Sequence, residues 1–286
     1  MIKTDVTYLA RPSGNVIFTC ADSNYFKLFG EQLICSVNNV DCFTCLHIHV
    51  INPDQEVLAA LNQYLLTFRR ITASYEYVNI ESLMEVSRDA QSDWLKNIPL
   101  HILEMLAIEQ VRERKIKRKL IKIALKIGIP ANFLISKKLL HSDIPRVYYA
   151  CRRFSFIKEF FDTIETLIVI DIDSVCKNDS FIHQLQGSNR ILALRRIGSW
   201  STYLAGFVYY PNNNQASIFI NQYSEKLNDF FKNGWIFWGL DQYLLDVIST
   251  KNSTSGLNES VFGLMDSDDS SFISYKGDTK YSQIQK

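Results

Sequence analysis

Short β-forming runs alternate with amphipathic helical stretches early in the chain, and this alternation limits the fold more than any other feature. Strand-like runs lie at 15–20, 45–51 and 74–80, and helical stretches lie between them at 24–40 and 56–68. A strand that returns to the same sheet through a helix runs parallel to its predecessor. The sequence therefore predicts an α/β fold with a mostly parallel central sheet and helices on both faces.

Two carboxylates follow directly on a fully apolar run in the stretch Leu167–Val175, which reads LIVIDIDSV. The apolar run predicts a buried strand, and Asp171 and Asp173 come where that strand should end. Ligands of open α/β sheets bind beyond the carboxyl ends of the strands. Residues i and i+2 of an extended chain face the same side, so the two carboxylates are expected to converge. Two charges roughly 6.5 Å apart would then repel by about 2.5 kcal/mol at an effective dielectric near 20.

The acid pair has two interpretations. A divalent cation would remove the repulsion, since Mg²⁺ is commonly held by one or two carboxylates together with substrate phosphates, and Mn²⁺ also accepts oxygen ligands. The alternative is a solvated turn in which each Asp caps a nearby backbone N–H. The residues at this point of the chain leave both interpretations open.

Polar residues also follow the first predicted strand, at the same edge of the sheet. Asp22 and Asn24 could read the donor and acceptor edge of a pyrimidine, and Tyr25 could stack on its face. An ordinary polar cap on the following helix is the alternative.

Two later segments carry further candidates. Asp241 and Gln242 open a predicted helix, where the helix dipole alone would also favour an acid. Gly277 and Lys280 lie near the end of the chain, in the pattern of a glycine turn followed by a cation that grips phosphate.

Taken in this order, the segments resemble those of GT-A nucleotide-sugar glycosyltransferases. The similarity is greatest to the retaining family that includes glycogenin and the lipopolysaccharide galactosyltransferases. The family's A-x-D-x-N-Y loop is matched by Ala21–Tyr25, its L-Y-L-D-x-D strand by Ile168–Asp173 and its D-Q helix start by Asp241–Gln242. The resemblance runs from about Val16 to Lys280 and omits Ile80–Ser142.

Four shorter matches belong to the same resemblance. The family strand F-H-V-L-D corresponds to Ile48–Asn52, and a Y-Y-x-R segment corresponds to Tyr148–Phe154, in which Arg153 fits best. A small-Gly-hydrophobic strand is matched by Ala205–Val208, and the terminal G-x-x-K by Gly277–Lys280.

The resemblance implies one glycosyltransferase domain over residues 1–286, with a basic helical insertion at about 81–142. The implied activity is transfer of a hexose-like sugar from a nucleotide diphosphate, a UDP-sugar, to a saccharide or glycolipid acceptor in polysaccharide biosynthesis. Configuration at the sugar would be retained, with Mn²⁺ or Mg²⁺ on Asp171 and Asp173. Gln242 and Asp241 take the catalytic positions. The implied donor-binding residues are Asp22, Asn24, Tyr25, Arg153, Gly277 and Lys280.

Two departures from the family pattern keep other functions open. Ser274 stands where the family has a metal-binding His, and Leu204 stands where it has an Asn. These changes would suit a degenerate protein that only binds a sugar nucleotide. A nucleotidyltransferase that makes activated sugars is a third hypothesis. It is disfavoured because such enzymes usually carry a Gly-rich phosphate loop, and residues 19–30 contain only Gly30.

The segment Arg112–Lys126 is strongly basic, with eight Lys or Arg residues and one acid, Glu113. Apolar residues recur from Ile116 at i+4, i+7, i+8 and i+11, which predicts an amphipathic helix with a cationic face. The face could be the solvated side of a packed helix, or it could contact an anionic membrane or acceptor. Nucleic acid is not expected as a partner, because the pI is about 7.6 and no recognised motif is present.

No apolar run approaches the roughly 20 residues of a membrane helix, and the first residues lack a signal-peptide pattern. The expected location is therefore the cytoplasm, with peripheral contact to the inner face of a membrane through residues 112–126.

Overall fold

The chain folds into two compact units, seen in a computed structural model. The sheet unit comprises Ile2–Val78, Tyr149–Glu225 and Asp241–Lys286, and the helical unit comprises Asn79–Tyr148 and Lys226–Leu240. The expectation of a single domain with an insertion at about 81–142 is not tested by this division and stays a prediction. The structure describes residues 5–40, 44–79, 81–82, 100–109, 115–134, 144–185, 187–195, 202–233, 235–249, 253–257, 261–264 and 270–274.

An eight-stranded sheet forms the body of the sheet unit, in the order β1-β4-β3-β2-β5-β8-β7-β9. Strands β2, β3, β4 and β5 pair in parallel, as do β7 and β9, whereas β1 and β8 run antiparallel to their neighbours. The predicted fold class, a mostly parallel sheet with flanking helices, is confirmed. The strands are β1 Val6–Tyr8, β2 Gly14–Asp22, β3 Cys45–Ile51, β4 Ile71–Glu76, β5 Ile164–Ile170, β7 Ile191–Arg195, β8 Tyr203–Pro211 and β9 Thr254–Leu257.

A smaller three-stranded sheet lies in the same unit, in the order β10-β11-β6. Its strands are β6 Ser174–Cys176, β10 Phe262–Leu264 and β11 Phe272–Ser274. Strand β6 begins one residue after Asp173, so the small sheet fixes the chain that leaves the acid pair. Strands of three residues are too short to show a hydrophobic period, and the sequence pattern therefore gave no sign of β10 and β11.

The helices connect the strands as the alternation predicted. Among the described residues, no helix has both the length and the apolar character needed to cross a bilayer. Short 3₁₀ turns occupy Ala131–Phe133, Phe156–Glu159 and Phe161–Thr163. The helices are α1 Ser23–Asn39, α2 Gln55–Thr67, α3 Leu100–Glu109, α4 Lys115–Lys126, α5 Ile144–Ser155, α6 Ser180–Leu185, α7 Asn214–Lys232 and α8 Leu240–Ile248.

The central strands are buried on both faces, which explains why they read as continuous apolar runs. One face joins Ile48 and Ile168 in a single cluster with Leu33 of α1 and Leu61 of α2. On the other face, Phe18 packs against Phe156 of the first 3₁₀ turn after α5 and against Phe160, which follows that turn. The ring centroid of Phe18 lies 5.8 Å from that of Phe156 and 5.3 Å from that of Phe160.

Strand β4 lies three to four residues earlier than the predicted run at 74–80. The prediction was shifted because the side chain of Asn52 closes the end of the strand. Asn52 Oδ1 accepts from the Val78 N–H at 2.7 Å, and its Nδ2 donates to the Val78 carbonyl at 3.0 Å. These side-chain bonds satisfy backbone groups that would otherwise extend the ladder.

The helical unit has a core of its own among the described residues. Leu103 and Ala107 of α3 are buried. The ring of Tyr148 meets that of Phe231 edge-on at 5.8 Å, and Phe230 meets Trp235 in the same way at 5.3 Å. Aromatic pairs of this geometry stabilise packing beyond their buried area.

Candidate functional site

Polar residues meet at one edge of the large sheet, where parallel strands end side by side. Asp22 ends β2, Asn52 follows β3, and Asp171 follows β5. The antiparallel strand β8 brings Gly206 beside Asp171, whose N–H donates to the Gly206 carbonyl at 3.2 Å. This is the carboxyl edge at which open α/β sheets bind ligands.

The acid pair lies in a turn, so the expectation of an extended chain through Asp171 and Asp173 was wrong, while convergence of the two carboxylates stays a prediction. The Ser174 N–H donates to the Asp171 carbonyl at 3.1 Å, which bends the chain back into β6. Asp171 is partly exposed, whereas Asp173 is buried and accepts a hydrogen bond from Ser274 Oγ at 3.2 Å. The turn thus gives the two acids different partners.

Arg153, at the end of α5, joins the acids of two separate elements. Its Nη1 donates to Asp171 Oδ1, and its Nη2 lies 3.5 Å from Asp241 Oδ2. The same Nη2 donates to the Ala205 carbonyl at 3.1 Å. The guanidinium is buried, but the Asp171 side chain is 36% exposed and that of Asp241 is 14% exposed, so water screens the contact with Asp171 more than the contact with Asp241. The Arg153 guanidinium therefore contacts two acids that lie 18 and 88 residues further along the chain.

Tyr223 of α7 contacts both the first turn of α8 and helix α5. The Tyr223 hydroxyl donates to the Asp241 carbonyl at 3.3 Å, and its ring lies 5.3 Å from that of Phe154. Burial raises the pKa of Cys151 well above its usual value, and the nearby Asp241 adds to this effect. Cys151 is thus a neutral packing residue beneath the site.

The site's charge is suited to a divalent cation. Three carboxylates (Asp171, Asp173 and Asp241) and one guanidinium leave a formal charge of −2. Carboxylate oxygens are the ligands that Mg²⁺ and Mn²⁺ accept, so the two acids of the turn fit such an ion. In the part of the chain that the structure describes, no group of three His, Cys, Asp or Glu residues could hold a metal.

Two solved structures with similar folds are both named as glycosyltransferases. The glycosyltransferase GlyE of Streptococcus pneumoniae TIGR4 matches 93% of this chain and 55% of its own, at 12% identity and a TM-score of 0.52. The bifunctional glycosyltransferase WbbM matches 94% of this chain and 47% of its own, also at 12% identity and a TM-score of 0.52.

This chain has the GT-A glycosyltransferase fold. It spans about half the length of the two structures named above. No family model matches the sequence, and no curated protein matches it either. At this level of identity the similarity establishes the fold and leaves the activity of the chain to be proposed.

The expected nucleotide loop of the GT-A fold begins as a helix cap. Asp22 Oδ1 accepts from the Tyr25 N–H at 2.7 Å and so caps α1, as the alternative interpretation had it. Asn24 is exposed, and the Tyr25 ring lies 5.5 Å from that of Phe29. The cap uses Oδ1 of Asp22. Contact of the other carboxylate oxygen with a nucleobase stays a prediction.

Asn52 and Tyr149 join this edge of the GT-A sheet, although the sequence pattern had not assigned them to the site. Asn52 adopts a positive φ of 51°, a conformation that asparagine tolerates better than most residues. Burial raises the pKa of Tyr149, as does the nearby Asp22 carboxylate, while a hydrogen bond with Asn52 lowers it. Both residues lie in segments that matched the family pattern, an Asn after a strand and a Tyr-Tyr pair. These matches could have placed both residues at the site.

The remaining predicted site residues divide into two groups. Gln242 is half-buried in the first turn of α8, directly after Asp241, so the D-Q pair does open a helix. Gly277 and Lys280 lie outside the described residues. Their expected phosphate contact, like that of Arg153, stays a prediction.

A buried polar network supports the edge next to the site, and the sequence reasoning missed it. Arg152 pairs with Glu76 through two hydrogen bonds of 2.7 Å, and the Glu76 side chain has no exposed surface. His49 Nε2 lies 3.4 Å from Glu76 Oε1, which is too long for a well-formed hydrogen bond. The chain of contacts continues through Ser74 to His47, at 2.9 Å for each step.

Gly206 is expected to tolerate a methyl group poorly. An added Cβ would lie 3.1 Å from Asp171 Oδ2, closer than side chains normally approach. We expect Gly206→Ala to lower the free energy of unfolding by about 1–2 kcal/mol in a urea titration, because the carboxylate must move away from its pairing with Arg153. Gly256→Ala is the matched control, since its nearest atom would lie at an ordinary 3.5 Å. Equal stability of the two variants would show that Asp171 has room to shift.

Proposed function

We propose that the chain is a glycosyltransferase that moves a sugar from a nucleotide diphosphate donor, a UDP-sugar, to a saccharide or glycolipid acceptor. The observation that carries the proposal is the contact of one buried Arg153 with both Asp171 and Asp241 at the carboxyl edge of a GT-A sheet. Similarity in fold to GlyE and WbbM, both named as glycosyltransferases, supports it.

The chemistry requires stabilisation of a departing nucleoside diphosphate and of an oxocarbenium-like sugar. A divalent cation bound by Asp171 and Asp173 would offset the negative charge of the diphosphate. Arg153 and Lys280 would add positive charge on the protein side. Gln242 would face the reacting sugar and position it, and Asp241 would accept hydrogen bonds from sugar hydroxyls. Retention of configuration is part of the proposal through the resemblance to the retaining family.

The nucleoside would bind beside the end of β2. Tyr25 would stack on the base, and Asp22 or Asn24 would read its edge, which favours uridine. Tyr149 supports this side of the site, because its phenol lies close to both Asp22 and Asn52. The proposed location is the cytoplasm.

The test is a panel of nucleotide sugars incubated with the full chain and Mn²⁺, followed by mass spectrometry of free nucleotide and sugar. We expect release of UDP from at least one UDP-sugar, and slower release of GDP from GDP-sugars. A panel in which no nucleotide sugar is hydrolysed, with or without added saccharide, would reject the enzyme. Faster reaction of guanosine donors would reject the assignment of the base.

Asp173→Asn is expected to weaken UDP binding at least about tenfold in Mn²⁺, the scale of one lost charge-assisted contact, and to change it less than about threefold in chelator. The reason is that a neutral amide is a poor ligand for a hard cation. Isothermal titration calorimetry measures both conditions. Asp162→Asn is the control, because Asp162 is an exposed acid on the 3₁₀ turn before β5.

A binding-only protein is the second candidate, and the site gives a specific reason for it. Arg153 contacts one oxygen of Asp171, and Ser274 contacts one oxygen of Asp173, so protein groups already serve both acids. If UDP bound equally well in Mn²⁺ and in chelator, the acid pair would not be a metal site. The binding-only candidate would then be favoured unless nucleotide sugars were still hydrolysed.

A further inference from the structure

Helix α4 turns its apolar side chains outward. Ile116, Leu120, Ile123 and Ile127, the last just beyond the helix end, are 78%, 60%, 54% and 71% exposed. At 100° per residue these four positions fall within an arc of about 60°. They therefore form one continuous exposed stripe, which a solvated cationic face on a packed helix does not account for.

The apolar surface continues past the end of the helix. Gly128 adopts a positive φ of 86°, and the Ile129 N–H donates to the Ala124 carbonyl at 3.0 Å. The Gly128 N–H donates to the Leu125 carbonyl at 3.1 Å, which completes a Schellman motif that ends the helix cleanly. Beyond it Phe133 is 77% exposed, so aromatic surface follows the aliphatic stripe.

Basic residues border the stripe, and helix α4 contains no acid. By helical geometry, Lys119, Lys122 and Lys126 lie along one side of the stripe and Lys117 along the other. All four lysines are exposed. An apolar stripe between cationic margins is the pattern of helices that lie in the interface of an anionic bilayer, with the apolar side chains below the headgroups and the lysines at their level.

We propose that the surface formed by α4 and the turn after it, the α4 surface, docks the chain on an anionic lipid bilayer. The positive charge of the α4 surface favours a lipid bilayer over a second copy of the chain as its partner. A second copy of the chain docking stripe to stripe would oppose lysine to lysine, whereas lipid phosphates neutralise these lysines and the acyl region accepts the isoleucines. The proposal does not depend on the sugar-transfer chemistry, since α4 belongs to the helical unit and the Arg153 site to the sheet unit.

The experiment is co-sedimentation of the full chain with vesicles of phosphatidylcholine alone or with about one third phosphatidylglycerol. We expect at least tenfold stronger binding to the anionic vesicles, reduced at high salt. Leu120→Glu should lower this binding at least tenfold. Leu66→Glu is the matched control, because Leu66 is 90% exposed on α2, a helix that contains no lysine. Binding of the Leu66→Glu variant to anionic vesicles should match that of the unaltered chain.

The outcomes separate the possible occupants. Lack of binding to anionic vesicles, or equal loss with Leu120→Glu and Leu66→Glu, overturns the proposal. Analytical ultracentrifugation that shows a dimer, and a monomer with Leu120→Glu, would assign the α4 surface to a second copy and also overturn it. Thermal unfolding of both variants checks that each is folded. UDP release by Leu120→Glu without vesicles should be unchanged, so failure of docking and failure of the proposed activity are distinguishable.

Discussion

Replacement of Arg153 by Met is expected to reduce UDP release from the donor at least about a hundredfold, the loss typical when one preorganised charge-stabilising group is removed. Arg153 is buried and contacts both Asp171 and Asp241. Without its guanidinium the two carboxylates would repel one another, and the positive charge near the leaving diphosphate would be lost. Steady-state measurement of UDP release gives kcat and KM separately, and we expect the greater loss in kcat.

Controls separate this effect from simple loss of folding. Arg190→Met removes an exposed arginine that bonds Ser255 at 3.3 Å, and it should leave UDP release unchanged. Adding Asp241→Asn to Arg153→Met should recover stability, because one of the two opposed acids becomes neutral, but it should not recover turnover. Arg153→Lys keeps the charge and loses the planar fork that reaches two acids, so partial activity is expected. Turnover by a folded Arg153→Met variant within tenfold of the unaltered chain would contradict the role of Arg153.

Replacement of Glu76 by Gln is expected to lower the free energy of unfolding at pH 7.5 by about 3–5 kcal/mol, the cost of breaking a buried ion pair by removing one charge. The Glu76 side chain has no exposed surface and receives two hydrogen bonds from Arg152. Gln cannot satisfy both guanidinium contacts, and Arg152 keeps its charge. Urea titrations measure the difference. Glu165→Gln, at an exposed glutamate of β5, is the control and should change stability by no more than about 0.5 kcal/mol.

The effect of Glu76→Gln should depend on pH. Burial by itself would raise the pKa of Glu76, but interactions with His49 and Arg152 outweigh it and hold the pKa well below its usual value. The ionised form is thus favoured in the folded chain. Its contribution is fully present above the unfolded pKa near 4.5 and is lost as pH falls toward the folded pKa. The difference between Glu76→Gln and the unaltered chain should therefore shrink below about pH 4.5. A difference that stays constant down to pH 3 would contradict the assignment.

The neighbouring His47 adds a second loss of stability in acid. Burial lowers the pKa of His47 to about 3 from 6.5, so the folded chain holds it neutral. The unfolded chain takes up a proton below pH 6.5, and stability is therefore lost progressively as pH falls from 6.5 toward 3. Both Glu76→Gln and the unaltered chain keep His47, so both should lose stability in this range of pH.

Local patterns in the sequence determined the framework of the fold. The runs that became β2, β3 and β5, and the helical stretches that became α1 and α2, were predicted within one or two residues, because hydrophobic period and helix caps are properties of neighbouring residues. The position of Asp171 at the end of a buried strand followed from the same reasoning. Alternation of the elements then required parallel strands, and parallel strands required a common edge for Asp22 and Asp171.

The tertiary structure alone decided which residues meet. Arg153 was expected at a phosphate, but its position against Asp171 and Asp241 depends on how α5 and α8 pack on the sheet. The turn between Asp171 and Asp173 depends on β6 pairing with β11, a strand about 100 residues further along the chain. The pairing of Glu76 with Arg152 spans 76 residues. For α4 the sequence predicted the two faces but could not say which was covered, since amphipathicity is local and burial depends on what packs against a face. Contacts between distant residues leave no period in the sequence, and only the folded chain brings them together.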